Sequence, residues 1–196
     1  VDTAMHDERL KKEGVAKKER PVKPKRNGLY PTKTQLAVRL LQAFKDAHGD
    51  IKIKAVLADA LYGEKVFMDE AARIFDGTQV ISQLRENQNI EHKGKKRNLK
   101  GYFNSTNKGV EVTLRVRGDK DVKATVSSAR LKVSAHSKKR LVVALKYEGE
   151  SDYRYLVATD MTWRTMDIIQ AYTLRWLVEV FFEDWKLYEG WGREAK

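Results

Sequence analysis

Between residues 34 and 85 the apolar residues change period three times, and this alternation constrains the fold more tightly than any other feature of the chain. From Thr34 to Ala47, Leu36, Leu40, Ala43, Phe44 and Ala47 recur at helical spacing; Thr32 or Thr34 can cap the start, and Gly49 follows the end. The stretch IKIKAVLAD (51–59) then reads as a strand that becomes apolar and buried toward its end, with a loop at Leu61 to Gly63. Phe67, Ala71, Ile74 and Phe75 give a second helix, and TQVISQLR (78–85) a second strand. Helix, strand, helix, strand predicts an α/β fold with a largely parallel sheet.

The pattern changes beyond residue 91. Turn chemistry at Gly109, Gly118–Asp119 and Gly149 separates strand-like runs at 110–117, 122–135, 140–147 and 153–159, a β-rich segment opened by KGKKRNLK (93–100). Residues 92–146 hold sixteen Lys or Arg against three acidic residues, a net +13, while the whole chain carries +12. Basicity concentrated in one segment predicts a phosphate-binding surface more readily than a merely solvated face. Residues 1–33 carry ten Lys or Arg and all three prolines with almost no apolar periodicity, so they read as a basic extended connector without strands.

Two classes of chemistry are excluded or disfavoured. Without cysteine there is neither a disulfide nor a Cys-based zinc site. The longest apolar run, Leu141 to Leu145, is far short of a membrane span, which makes a cytoplasmic protein without membrane contact the expectation. His6, His48, His92 and His136 are scattered without ligand spacing and read as surface residues.

The segment YTLRWLVEVFFEDWK (172–186) carries the functional signal. At about 100° per residue, Tyr172, Arg175, Glu179 and Lys186 share a stripe roughly 60° wide, while Leu174, Leu177, Phe181, Trp185 and Tyr188 form the expected core face opposite. On spacing alone the polar stripe is equally a surface ladder in which Arg175 and Glu179 pair at i, i+4. Glu183 lies close to the same stripe, and Trp176 reads as packing.

These intervals match the Y-R-E-K signature of bacterial insertion-sequence transposases of the DDE type, and the chain resembles that family. VLADALYGEKVF (56–67) resembles the segment with the family's second catalytic aspartate, which makes Asp59 the matching residue. The resemblance extends from Thr34 to Trp191. It implies an RNase H-like mixed sheet flanked by helices, with residues 34–91 and 160–196 as the catalytic core and 92–159 as an inserted β-rich lobe.

The resemblance further implies that Asp59 and Glu179 are catalytic carboxylates holding Mg2+, with Mn2+ as a substitute. Mg2+ takes oxygen ligands, and paired ions activate a nucleophile and stabilise the departing 3′-oxygen of a phosphodiester. Tyr172, Arg175 and Lys186 would contact DNA phosphates, joined by Lys93, Lys95, Lys96 and Arg97 of the basic segment and by Arg85 at a strand end; Trp163 is a candidate for base stacking. The implied partner is double-stranded DNA, transposon ends and target, bound by a homodimer at the bacterial nucleoid. Asp2 is not followed by the strands the first catalytic Asp requires, so that Asp is expected upstream of this chain, which would then be an inactive fragment of an active parent. The alternatives are a catalytically inactive basic nucleic-acid-binding relic with structural carboxylates, or a related RNase H-like nuclease.

Overall fold

The computed structural model describes residues 6–21, 30–106, 109–116 and 120–188. Its helices are α1 (His6–Lys12), α2 (Lys33–Ala47), α3 (Lys65–Ile74), α4 (Leu99–Thr106), α5 (Thr165–Thr173) and α6 (Leu177–Tyr188). The strands are β1 (Ala55–Leu57), β2 (Gln79–Leu84), β3 (Asn89–His92), β4 (Lys95–Asn98), β5 (Val110–Val116), β6 (Lys120–Val133), β7 (Lys138–Tyr147) and β8 (Arg154–Ala158). Asp2 and the Gly118–Asp119 turn lie outside the described residues.

All eight strands join one sheet in the order β1-β2-β8-β7-β6-β3-β4, with β5 paired to β6. Only β1 and β2 run parallel; every other pairing is antiparallel, which corrects the largely parallel sheet expected from the sequence. The reason lies in the connections. A whole helix, α3, links β1 to β2 and is long enough for a parallel crossover, whereas β3–β4, β6–β7 and β7–β8 are joined by short connections that reverse direction. At the β3–β4 turn Lys93 (φ 50) and Gly94 (φ 74) both take the left-handed backbone of a two-residue hairpin.

The core has two layers, one on each face of the sheet. Alternate residues of β7 separate them: Val142 and Ala144 pack with Met68 and Ala71 of α3 and Leu99 and Phe103 of α4, while Leu141, Val143 and Leu145 pack with Ile168 and Ile169 of α5. Helices α2, α3 and α4 therefore cover one face and α5 the other. This double burial explains why LVVAL (141–145) is continuously apolar instead of alternating.

Local chemistry sets several element boundaries. Thr32 caps α2 in a full capping box, its side chain accepting from the Gln35 amide at 3.0 Å while the Gln35 side chain accepts from the Thr32 amide at 2.7 Å. Residues 6–12 form a helix, not the extended chain expected there: Asp7 and Glu8 lie in its first turn, Arg9, Lys11 and Lys12 in its last, and Arg9 pairs with Glu13 at 3.1 Å. Helix α4, unforeseen in the sequence, is anchored by fully buried Leu99 and Phe103.

The helix expected across 172–186 is broken. Leu174–Trp176 form a 3-10 turn between α5 and α6. The predicted core face is not a core face: no residue of α6 is buried, and Leu174, Leu177, Phe181 and Tyr188 are all more than half exposed. The principal contact of α6 is the turn before it, so the described residues supply no surface for its apolar side to cover.

Candidate active site

The first element of the site is the turn that ends β1. Asp59 caps the 3-10 turn Ala60–Tyr62, its carboxylate accepting from the Ala60 amide at 2.7 Å and its carbonyl from the Tyr62 amide at 2.9 Å and from Ser82 Oγ at 2.8 Å. Gly63 closes the turn so tightly against β2 that a Cβ there would lie 2.4 Å from the Gln83 carbonyl oxygen. The Asp59 side chain remains exposed.

The second element is the α5–α6 junction. Arg175 donates to Glu179 at 2.8 Å and places its guanidinium carbon 5.7 Å from the centre of the Tyr172 ring. Burial pushes the Tyr172 hydroxyl pKa up; Arg175 opposes this and the Asp59 charge adds to it. Burial works against the charge on Arg175, but Tyr172, Glu179 and Asp59 outweigh it and raise its pKa. The Asp59 charge thus reaches both Tyr172 and Arg175.

A groove of about 430 Å³ opens beside this cluster, between α5 and the β7–β8 face. Leu145, Leu156 and Ile169 floor it, and Tyr147, Arg154, Tyr172 and Arg175 line it. The Tyr172 hydroxyl is buried beside this groove without a hydrogen bond of normal geometry among the described residues, and the Arg175 guanidinium is its polar neighbour. A second groove, about 470 Å³, runs along the turn after Asp59 and takes in Gly63, Lys65, Arg85 and His136; Gln83 borders both grooves.

The remaining predicted site residues lie elsewhere. Lys95, Lys96 and Arg97 form the exposed edge strand β4, and Lys93 its turn, at the end of the sheet opposite β1. Six inter-strand gaps at about 4.8 Å put roughly 29 Å between that edge and β1. Lys on an edge strand also blocks pairing with another sheet. Lys186 is exposed on α6, and Trp163 is partly buried against the α5-side core.

The fit to a divalent ion is partial. Asp59 and Glu179 offer hard oxygen donors, each engaged by one partner, and Mg2+ is commonly held by one or two carboxylates with water and phosphate completing its shell. No three His, Asp or Glu side chains are grouped to hold a metal ion among the described residues.

His136 corrects the sequence reading most clearly. Expected on the surface, it is 1% exposed. Its Nε2 lies 2.9 Å from the Gly63 carbonyl, an acceptor only, so Nε2 carries the proton and Nδ1 accepts from Arg140 Nε at 3.2 Å. Arg140, 3% exposed, also donates to Asp69, which Lys138 meets at 2.7 Å. Burial holds the His136 pKa below its usual 6.5, while burial of Asp69 is outweighed by Lys138 and Arg140, which lower its pKa.

A pH dependence follows. Just below pH 6.5 the unfolded chain takes up a proton at position 136 that the folded chain refuses, so the His136 contribution is full above 6.5 and is lost as pH falls through the lower folded value. The thermal midpoint should drop between pH 7 and pH 5, and His136→Phe should flatten that drop. Equal slopes for the two proteins would contradict the assignment of a buried neutral imidazole.

Comparison with known proteins gives a family match for the chain. The sequence model described as "Transposase DDE domain" matches residues 31–194, most of the chain. A comparison with curated proteins gives no match.

Proposed function

The chain belongs to the transposase DDE domain family, and on that premise we propose that it forms part of the catalytic domain of a DNA transposase, which cleaves and joins phosphodiester bonds at transposon ends with divalent metal ions. The observation that supports this reading is that the family match over residues 31–194 takes in both the Asp59 turn and the α5–α6 junction, and that the Asp59 charge acts on Tyr172 and Arg175 although more than a hundred residues of chain separate them.

Each side chain has a distinct part. Asp59 and Glu179 would hold Mg2+ or Mn2+, which when bound activates the attacking water or 3′-hydroxyl and steadies the departing oxygen. The Arg175–Glu179 pair is a partly exposed i, i+4 contact, worth only a few tenths of a kcal/mol, so Glu179 gives it up at little cost. Arg175 then turns its planar fork to a phosphate, and the Tyr172 hydroxyl donates to a phosphate oxygen. Lys186 adds a point charge one helical segment further on, and Arg85 lines the groove along the turn after Asp59. The protein acts as a homodimer on paired DNA ends.

The basic hairpin Lys93–Arg97 gives the duplex a second hold. A separation of roughly 29 Å from β1 corresponds to roughly eight base pairs at 3.4 Å each. Replacing Lys93, Lys95, Lys96 and Arg97 together by neutral residues should reduce the slope of log affinity against log salt by about one unit for each phosphate that these side chains neutralise. An unchanged slope places this hairpin away from DNA.

A second reading draws on the capping role of Asp59 and the ladder pairing of Glu179: a basic nucleic-acid-binding relic whose carboxylates are structural. Metal dependence separates the two. A transposase should nick a labelled transposon end only with Mg2+ or Mn2+ present, whereas the relic binds the same DNA without nicking it under any condition.

A further inference from the structure

The geometry assigns His136, backed by Arg140 and Asp69, as a positioning residue that fixes the direction of the Asp59 carboxylate through the Gly63 carbonyl. The inference rests on the reading of Asp59 as a site carboxylate. It starts from how that side chain is held: its carboxylate accepts from the next amide, Ala60, so its direction is set by the turn that carries it.

That turn is pinned at both ends from different parts of the fold. At its start, Ser82 Oγ on β2 donates to the Asp59 carbonyl at 2.8 Å. At its end, His136 Nε2 donates to the Gly63 carbonyl at 2.9 Å, across 73 residues of chain. Between them Gly63 rests on the Gln83 carbonyl with no room for a side chain.

His136 alone would be a weak pin, because an imidazole can rotate or exchange its tautomer. Arg140 removes that freedom: a guanidinium only donates, so its bond to Nδ1 obliges the imidazole proton to sit on Nε2, facing Gly63. Asp69 on α3 and Lys138 on β7 in turn fix the guanidinium. The relay Lys138, Asp69, Arg140, His136, Gly63 ties α3, β7 and the Asp59 turn into one unit. The His136 nitrogens are both spent on Arg140 and the turn, so its task is to orient.

The test compares His136→Phe with His136→Gln in the protein. Phe keeps the ring and loses both hydrogen bonds; Gln offers a donor and an acceptor spaced much like the two imidazole nitrogens. Two readouts are taken: amide hydrogen exchange across 59–66 in the free protein, and the Mg2+ concentration for half-maximal nicking of a transposon end. His136→Phe should lose exchange protection in 59–66 selectively and raise the Mg2+ requirement about 10- to 100-fold, the usual effect of losing an outer support of a metal ligand. His136→Gln should restore both toward wild type. Unaltered exchange in His136→Phe, or loosening spread evenly over the chain with an unchanged Mg2+ requirement, would overturn the assignment. The exchange readout needs no catalysis, so it still tests the relay if the transposase reading itself fails.

Discussion

Gly63→Ala is expected to damage both stability and catalysis, although it adds a single methyl group. The new Cβ would meet the Gln83 carbonyl oxygen at 2.4 Å, its carbon at 3.3 Å and Ser82 Oγ at 3.3 Å. The nearest of these are backbone atoms of β2, held in register with β8 through Gln83↔Leu156, and they cannot rotate aside. Either the turn or the strand must move. Overpacking of this kind costs about 1–3 kcal/mol, and for a chain of this length each kcal/mol lowers the thermal midpoint by about 2–4 °C. The larger effect falls on nicking. A shift of about 1 Å in the turn moves Asp59 with it, and misplacement on that scale costs about a hundredfold in rate. Gly77→Ala, at a glycine with open space around it, is a useful contrast: its strain comes from a φ of +86°, remote from the site, so it should lower stability without a separate loss of nicking. Equal loss of nicking in both variants would separate the Asp59 turn from catalysis.

The sequence disclosed elements and hid their assembly. Helix α2 was legible from its local periodicity, with Thr32 or Thr34 open as its cap, and the structure selects Thr32 through its capping box with Gln35. Strands β5 to β8 were legible because β-branched runs and turn glycines are local signals. The sheet's direction was not, since the pairing of β2 with β8 joins residues such as Ile81 and Ala158 that no local pattern connects. The hairpin β3–β4 was hidden by its turn, where Lys93 takes a left-handed backbone more familiar in Asn or Asp. Helix α4 was hidden by composition, as LKGYFNST contains Gly101 and residues that favour turns.

The site divides the same way. The Arg175–Glu179 pairing was legible because helical spacing is local and the 3-10 turn at 174–176 leaves it intact, whereas reading Tyr172, Arg175 and Glu179 as a site rested on the resemblance to the family's signature and not on spacing. The apolar face of α6 was misjudged because periodicity reports that a face is apolar, not that the described chain covers it. His136 and Arg140 were missed for a third reason. Their i, i+4 spacing carries no signature, and their meaning depends on Gly63 and Asp69, 73 and 71 residues away.

The central claim is that neighbours on the α5–α6 junction have separate tasks, with Glu179 serving the metal and Arg175 and Lys186 serving phosphate. It is tested most directly by one paired assay on the protein, gel shift and strand nicking on a labelled transposon end, with Mg2+ supplied or chelated. Glu179→Gln keeps the shape of the side chain and removes its charge. It should therefore lose nicking by three orders of magnitude or more, about 4 kcal/mol of barrier, while still shifting the DNA, and without metal it should bind slightly tighter because a carboxylate no longer faces a polyanion. Lys186→Ala should instead weaken the shift and lower its salt slope by up to about one unit, with the Mg2+ requirement unchanged. Near-normal nicking by Glu179→Gln would contradict the account and leave Arg175 and Glu179 as a surface ladder.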